Sequence, residues 1–244
     1  MINVAVLGAA GRMGATVMRA IEASEDLALV AALDADDALE LAGAAVAVDF
    51  TAPTATEANV HALIDAGVHA VVGTSGWTDA ALDRVREHLA TAPGVGVLVA
   101  PNFALSAVLA MRFAAMAAPY FESVEIVELH HPDKIDAPSG TASHTAKAVA
   151  AARAAKGVGP SPDATTDDPL GARGAVLDGV HVHAVRLRGL VAHEEVLLGN
   201  PGEQLSIRTD SFDRSSFMPG VLLGIREVAA HPGLTVGLDG FLSL

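Results

Sequence analysis

The sequence predicts an α/β protein with two domains: a doubly wound parallel sheet, followed by an α+β domain built on a mixed sheet. Over the first hundred of its 244 residues, short apolar runs alternate with helix-length segments, which is typical of parallel strands joined by helices. A glycine-rich turn separates the first strand pattern from the first helix pattern, as in many sheets of this class. Beyond about Asn102 the alternation stops and period-two stretches appear, which favours a mixed or antiparallel sheet.

Eight elements are predicted in the first hundred residues. The strands are short runs of Val, Ala and Leu, as expected of strands that are covered on both faces. They are predicted at Asn3–Leu7, Ala28–Leu33, Ala45–Phe50, Ala70–Gly73 and Val95–Ala100. Longer segments with apolar residues three or four positions apart predict helices between them. These helices are predicted at Met13–Ala23, Thr54–Ala66 and Asp79–Leu89.

The second half of the chain has a different order of elements. A long apolar helix is predicted at Ala104–Ala118, a strand at Val124–Leu129 and an alanine-rich helix at Ala142–Lys156. Residues Gly157–Gly174 are rich in Gly, Pro, Ser, Thr and Asp and predict an exposed loop. Three strands are then predicted at Val180–Leu187, Glu195–Leu198 and Gln204–Thr209. A last helix is predicted at Ser216–Ala230, followed by a short tail at Leu234–Leu244. We expect residues 1–101 and 213–244 to form the first domain, and residues 102–212 to form the second.

Composition and charge exclude several classes of protein. The chain has no cysteine, so disulfides, thiolate zinc sites and cysteine nucleophiles are excluded. Its formal net charge of −14 leaves no basic surface for nucleic acid, and we expect no nucleic-acid partner. No apolar run is long enough to span a membrane. The short run Val4–Leu7 has no basic lead and breaks into glycines, which argues against a signal peptide. We therefore expect a cytoplasmic protein without a membrane partner.

The glycine-rich turn has the sequence Gly8-Ala9-Ala10-Gly11-Arg12-Met13-Gly14. Glycines between a strand and a helix let the backbone approach a pyrophosphate at the helix N-terminus. Asp34 lies 20 residues past Gly14, at the end of the next strand, where a carboxylate can accept hydrogen bonds from the adenosine ribose. These features predict dinucleotide binding, with Arg12 beside a phosphate. The alternative is a turn whose glycines serve packing only, with Arg12 and Asp34 at the surface.

The choice between NADH and NADPH depends on the residues next to Asp34. These are Ala35, Asp36 and Asp37, so no basic side chain is provided for a 2′-phosphate. We therefore expect NADH to be accepted as well as NADPH.

Two other strand ends are predicted to line the same crevice. Ligands of doubly wound sheets lie at the carboxyl ends of the strands. The segments at the ends of the predicted strands there are Gly73-Thr74-Ser75-Gly76 and Ala100-Pro101-Asn102-Phe103. Taken alone, each would be an ordinary turn.

The segment between the second-domain strand and the alanine-rich helix carries the most chemistry. His130 and His131 end the strand, Lys134 comes three residues later, and Ser139-Gly140-Thr141 opens the helix. Histidines and a lysine supply proton donors, and the N–H groups of a helix N-terminus bind anions. The pattern predicts a site for an anionic substrate that becomes protonated. The alternative is a polar strand end and a simple helix cap at Ser139.

Two other functions are open from the residues alone. His181 and His183 are two positions apart and face one side of a strand; with Glu194 and Glu195 they could bind zinc in a hydrolase. A non-catalytic NAD-sensing regulator is the third interpretation, although no basic patch or DNA-binding segment supports it.

Taken together, the motifs resemble the dihydrodipicolinate reductase family of lysine and diaminopimelate biosynthesis. The matching segments occur in family order and are Gly8–Gly14, Asp49-Phe50-Thr51, Gly73–Gly76, Ala100–Phe103, the run from Glu128 through His130, His131 and Lys134 to Thr141, and Ser211–Gly220. Three residues depart from the family pattern: Ala10 replaces a basic residue of some relatives, Ser75 replaces a commoner threonine, and Ser106 replaces the usual glycine.

The resemblance implies a fold, a reaction and a set of site residues. It implies a Rossmann-like cofactor domain, a substrate-binding and tetramerisation domain on a mixed sheet, and a homotetramer. The reaction is reduction of a cyclic imine dicarboxylate, 4-hydroxy-tetrahydrodipicolinate, by NADH or NADPH, with no metal.

The implied roles fall on the motifs already described. His130 corresponds to the catalytic histidine, Lys134 to the proton donor and His131 to a substrate contact, while Gly140 and Thr141 hold a substrate carboxylate. The residues that match the cofactor loops are Gly8, Ala9, Ala10, Gly11, Arg12, Met13, Asp34, Gly73, Thr74, Ser75, Ala100, Pro101, Asn102 and Phe103.

Overall fold

The computed structural model describes residues 1–242, which divide into two compact units. The first comprises Met1–Ala104 and the segment from Arg214 onward, and the second comprises Leu105–Asp213. The sequence placed these boundaries at 101/102 and 212/213. Within residues 1–242, no helix combines the length and apolar character needed to cross a membrane.

The elements are numbered along the chain. The strands are β1 (Ile2–Leu7), β2 (Leu27–Leu33), β3 (Val46–Asp49), β4 (His69–Val72), β5 (Gly96–Val99), β6 (Ser123–His130), β7 (Ala175–Leu177), β8 (Val180–Arg186), β9 (Ala192–Asn200), β10 (Glu203–Ser211) and β11 (Gly233–Val236). The α-helices are α1 (Arg12–Glu22), α2 (Thr56–Asp65), α3 (Asp79–Leu89), α4 (Leu105–Ala117), α5 (Gly140–Ala155) and α6 (Met218–Glu227).

The first unit is built on a six-stranded parallel sheet in the order β11-β5-β4-β3-β1-β2. Every residue of β3 and β5 is buried, as expected of central strands covered on both faces. The Rossmann-like sheet predicted from the alternating pattern is confirmed. The edge strand β11 falls in the stretch predicted only as a tail. Its residues Gly233–Val236 are partly exposed and do not form a continuous buried apolar run like those of β3 and β5.

The last helix is shorter than predicted. The sequence indicated one helix over Ser216–Ala230, whereas the α-helix is limited to Met218–Glu227, with 3₁₀ turns at Arg214–Phe217 and Val228–Ala230. This helix belongs to the first unit and packs closely there: a Cβ added to Gly220 would lie 2.0 Å from the carbonyl oxygen of Phe103. The backbone after β5 is thus held in place by α6.

The second unit has a five-stranded mixed sheet in the order β10-β9-β6-β8-β7. Only the β6–β8 pair is parallel among its strands in the described chain. Helices α4 and α5 cover one face with an apolar core that includes Val124, Ile126, Val149 and Leu198. The prediction of a mixed sheet is confirmed, and the short edge strand β7 was not predicted.

A buried cation closes one end of this core. Arg153 of α5 is 6% exposed and donates to the carbonyl oxygens of Ala118, Phe121, Glu122 and Gly159 at 2.6–3.3 Å. These carbonyls come from the turn after α4 and the loop after α5. Arg153 therefore holds the turn after α4 and the loop after α5 against the C-terminal end of α5. The predicted substrate site lies at the N-terminal end of the same helix.

Candidate active site

The centre of the second unit's polar site is a fully buried carboxylate, Glu128, on β6. Along this strand Val124, Ile126 and Glu128 alternate with more exposed residues and point into the core. The Glu128 carboxylate accepts two hydrogen bonds from Arg186, at 2.8 Å to Oε1 and 2.7 Å to Oε2. It also accepts the Ser139 N–H at 3.1 Å and contacts His130 Nδ1 at 2.6 Å. Every oxygen of this buried charge is thus paired.

Opposing effects set the charge of Glu128. Burial raises its pKa, but the hydrogen bonds from Arg186 and His130 outweigh burial and hold the pKa below its ordinary value of 4.5. Glu128 is therefore ionised at neutral pH and can only accept hydrogen bonds.

The ionised Glu128 fixes the tautomer of His130. Because the carboxylate has no proton to give, His130 donates from Nδ1. Burial lowers the pKa of His130, and the Glu128 charge offsets only part of this effect. His130 is therefore neutral near pH 7, with a lone pair on Nε2 that can accept a hydrogen bond.

The predicted proton donor lies in the loop that Glu128 and Arg186 hold. Lys134 is partly buried, and its Nζ lies 2.7 Å from Asp136 Oδ1. Arg186 also donates to the carbonyl oxygen of Asp136 at 2.7 Å, so the loop is tied to the sheet at both Asp136 and Ser139. His131 lies at the exposed start of this loop. The structure thus gathers His130, Lys134 and the start of α5 around one buried carboxylate.

The N-terminus of α5 has room for an anion. Ser139 is the N-cap, and its Oγ accepts the Ala142 N–H at 3.2 Å, as the alternative interpretation of this segment proposed. Among residues 1–242, a Cβ added to Gly140 would meet no heavy atom within 4 Å, so the backbone of Gly140 is approachable. It already interacts with one anion, because a hydrogen bond from the Gly140 backbone contributes to the lowered pKa of the Asp136 carboxyl. The cap occupies the Ala142 N–H, and the Gly140 backbone bonds the Asp136 carboxylate. A substrate carboxylate at this helix N-terminus would therefore compete with Asp136 for the Gly140 N–H.

The glycine turn of the first unit fits a dinucleotide phosphate. Helix α1 begins after Gly11, which provides no side-chain cap, and its first turn has no acidic residue. Its N–H groups are therefore available to an anion, and Arg12 is the first helical residue. The turn itself requires glycine: Gly8 has φ +80°, and a Cβ on Gly14 would lie 2.1 Å from the Gly8 carbonyl oxygen.

Asp34 lies directly beside this turn. Its exposed carboxylate accepts the Ala10 N–H at 3.0 and 3.1 Å, and Asp37 accepts the Asp34 N–H at 2.8 Å. Ala10 of the glycine-rich turn and Asp34, the residue predicted to bind the ribose, are thus joined by hydrogen bonds.

The other two predicted cofactor loops meet at an aromatic pair. The rings of Phe50 and Phe103 lie 5.9 Å apart. A Cβ on Gly73 would lie 2.0 Å from the Phe50 ring, so any larger residue there would force that ring to move. The Thr74 hydroxyl points inward and donates to Asp49 at 2.7 Å. Its side chain therefore supports the loop, and its backbone is the part available to a cofactor. The remaining predicted residues of these loops are Ser75, Ala100, Pro101 and Asn102.

Sequence reasoning missed the residues that support the site. Glu128 had a detectable signal, since it occupies an inward position in an apolar period-two strand. Asp49 lies in a segment that matches the family but was given no role, and Arg186 had no signal, because its partner Glu128 comes from a distant strand. Asp49 is fully buried and accepts hydrogen bonds from Thr51, Asn59 and Thr74.

The histidines of the zinc alternative have other partners. On β8, His181 Nδ1 lies 2.7 Å from the Arg173 carbonyl oxygen, and His183 Nε2 lies 2.7 Å from Glu125. Glu194 points into the core, where it bonds Thr145. Over residues 1–242, no group of three or more His, Asp or Glu side chains is placed to hold a metal ion.

Comparisons with known proteins agree with this geometry. The family model "Dihydrodipicolinate reductase, N-terminus" matches residues 2–103, and "Dihydrodipicolinate reductase, C-terminus" matches residues 106–242. The chain is 69% identical to a 4-hydroxy-tetrahydrodipicolinate reductase of Beutenbergia cavernae, over 100% of this chain and 99% of that protein. It is 59% identical to the reductase of Nocardia farcinica, over 100% and 99%.

A solved structure extends the match to three dimensions. It is a dipicolinate-bound dihydrodipicolinate reductase from Paenisporosarcina sp. TG-14, with a TM-score of 0.89 and 36% identity over 99% of this chain and 100% of that one. With both family models matched across nearly all of its length, the chain belongs to the dihydrodipicolinate reductase family.

Proposed function

We propose that this enzyme reduces 4-hydroxy-tetrahydrodipicolinate to tetrahydrodipicolinate in lysine and diaminopimelate biosynthesis, with Lys134 as the proton donor. The chain is an NAD(P)H-dependent reductase of its family. The observation that carries the assignment of roles is the loop of the second unit. In this loop Lys134 pairs with Asp136, and the N-cap Ser139 of α5 donates its N–H to the buried Glu128.

The first unit has residues suited to the dinucleotide. Gly8–Met13 and the start of α1 would hold the pyrophosphate, Asp34 the ribose, and the loops at Gly73–Ser75 and Ala100–Phe103 the rest of the cofactor. When bound, the reduced nicotinamide supplies the hydride.

The second unit provides the anion site and the proton. The N–H groups of Gly140 and Thr141 and the Thr141 hydroxyl bind one substrate carboxylate, and His131 contacts the substrate. Overall the reaction takes up a hydride and a proton and releases water. The ring hydroxyl leaves with a hydrogen of the neighbouring ring carbon, which gives the conjugated imine that accepts the hydride. Hydride addition leaves an enamine-like carbon, and Lys134 Nζ donates the proton there. A cation near that carbon also attracts the dianionic substrate.

His130 has a different role from Lys134 in this scheme. A neutral imidazole with its Nδ1 proton held by Glu128 has no proton to give at Nε2. We therefore assign the proton to Lys134 and give His130 the task of accepting a hydrogen bond from the reacting ring or from Lys134.

The direct test is oxidation of NADH with substrate generated in the assay by the preceding synthase. We expect the NADH absorbance to fall only when synthase and its substrates are all present. Absence of oxidation by folded enzyme would reject the proposed reaction.

We expect NADH and NADPH both to support turnover, with kcat/KM values within about a hundredfold, or ~2.7 kcal/mol. The Asp34 carboxylate repels a 2′-phosphate and is held beside the glycine turn by the Ala10 N–H, while Arg12 partly compensates. Steady-state kinetics with each cofactor measure the ratio. A stronger preference for NADPH would contradict the role given to Asp34.

Replacing Thr141 by valine should weaken substrate binding and leave cofactor binding unchanged. A hydrogen bond to a charged acceptor contributes about 1.5–3 kcal/mol, so we expect KM to rise about tenfold or more. Ser143→Ala, which removes a hydroxyl two residues further along α5, is the matched control and should keep its KM. A normal KM in folded Thr141→Val would place the carboxylate elsewhere.

The oligomer expected from the family is a homotetramer, and we propose that it forms through the uncovered face of the second sheet. Helices α4 and α5 pack on the Val124 and Ile126 face. The opposite face presents Val127, Leu129 and Leu197, all partly exposed, among charged residues. Light scattering should give four times the chain mass. Val127→Arg should reduce it, whereas Leu170→Arg, in an exposed loop, should not.

We also propose a cytoplasmic location, since the reaction consumes NADH or NADPH, which metabolism generates there.

A further inference from the structure

A second buried carboxylate, Glu194, lies beneath the substrate site and has no part in the scheme above. It is on β9, is 4% exposed, and is the cross-strand partner of Glu128 on β6. Its Oε1 lies 2.7 Å from the Thr145 hydroxyl of α5. Its Oε2 is buried and has no hydrogen-bond partner among the described residues, 1–242, although an ionised oxygen in the core would need one.

The Thr145 hydroxyl cannot satisfy an ionised Glu194. It lies within hydrogen-bond distance of two oxygens, Glu194 Oε1 at 2.7 Å and the Thr141 carbonyl oxygen at 3.0 Å. If Glu194 is ionised, both are acceptors, and the single hydroxyl hydrogen serves only one. If Glu194 is protonated, it donates to Thr145, and Thr145 donates to Thr141. Only the protonated form satisfies the whole chain of contacts.

Within residues 1–242, no cation affects the pKa of the Glu194 carboxyl: the titratable groups of α5 nearest to Thr145, His144 and Lys147, are exposed, and the coulombic effect on its pKa comes from Glu128. The titratable group facing it from β6 is Glu128, whose charge is compensated by Arg186 and whose carboxylate also accepts a hydrogen bond from neutral His130. Its partner on β10 is the uncharged Thr209, and α4 carries one charged residue, the partly exposed Arg112. Burial raises the pKa of Glu194 to about 7, and the Glu128 charge adds to the rise while Thr145 opposes it.

We propose that Glu194 is a neutral carboxylic acid in the substrate-binding form of this enzyme, and that its ionisation weakens binding of the dicarboxylate at the start of α5. Ionised Glu194 would take the Thr145 hydrogen from Thr141, the residue assigned to the substrate carboxylate. It would also place an uncompensated negative charge in the core beside Thr145, which lies one helical turn from Thr141. Glu194 is therefore a positioning and affinity-determining residue. The inference rests on the proposed function.

Binding of dipicolinate, the ligand of the Paenisporosarcina structure, to the NADH-loaded enzyme tests this by calorimetry. For the wild type we expect Kd to rise about tenfold between about pH 6 and about pH 8.5. Glu194→Gln keeps a hydrogen-bond partner for Thr145 and has no charge at any pH. In this variant the rise in Kd with pH should be smaller, because only the other titrating groups still contribute to it. Glu195→Gln, which removes a charge paired with Arg208 on the opposite face, should behave like the wild type.

Infrared spectroscopy provides a readout independent of binding. The wild type at about pH 6 should show the C=O stretch of a protonated carboxyl, absent from Glu194→Gln and lost as the pH rises through about 7. No such band, or equal pH dependence of Kd in wild type and Glu194→Gln, would overturn the inference. Failure of the wild type to oxidise NADH with substrate would instead reject the proposed function, while the band would still report the protonated Glu194.

Discussion

Replacing Lys134 by methionine should lower kcat by about a thousandfold, or ~4 kcal/mol of transition-state stabilisation. Methionine has a similar length and removes the ammonium group, so proton donation and attraction of the dianion are both lost. NADH affinity should stay within a few-fold, because Lys134 belongs to the second unit and the glycine turn to the first. Stopped-flow or steady-state kinetics give kcat, and fluorescence titration gives the NADH Kd.

The control for this prediction is Lys156→Met. Lys156 lies at the far end of α5, about 24 Å of helix from its start, and is exposed. Its replacement removes the same charge and should leave kcat unchanged. A normal kcat in Lys134→Met would exclude Lys134 as the proton donor and direct attention to His130.

The fold was easier to predict from the sequence than the contacts within the site. The alternating pattern of the first hundred residues is strong because the strands are buried on both faces and the helices are long enough to show their period. The strands β7 and β11 were missed because they lie partly exposed at sheet edges and do not form continuous buried apolar runs. The family was identified because the segment His130–Thr141 combines unusual residues at fixed spacing, and that identification is confirmed.

The side-chain contacts that support the site could not be predicted from the sequence. Arg186 reaches Glu128 because β8 lies parallel to β6, with Arg186 opposite His130. No local pattern reports a pairing between residues 58 positions apart. The same holds for Glu194, which the sequence associated with His181 and which the sheet instead turns into the core toward Thr145. Side-chain direction depends on strand register, and register is set by the whole sheet.

The Glu128–Arg186 pair has a testable consequence for both catalysis and stability. Glu128→Gln keeps the shape but removes the charge that holds the His130 proton on Nδ1, and it leaves the partly buried Arg186 beside a neutral amide. Removing one partner of a buried ion pair costs about 3 kcal/mol or more of unfolding free energy. We also expect kcat to fall about a hundredfold, since an amide can donate to Nδ1 and favour the other His130 tautomer.

Nitrogen-15 NMR of the histidine side chains separates the two effects of Glu128→Gln. In the wild type, His130 should show a protonated Nδ1; in the variant, the Nε2-protonated form should increase. The stability difference should depend on pH in a defined direction. Because the pKa of Glu128 is lowered by folding, its contribution is present above about 4.5 and is lost as the pH falls through the folded value. Wild type and variant should therefore converge in stability in acid, whereas a difference unchanged down to about pH 2 would show that the Glu128 charge does not stabilise the fold.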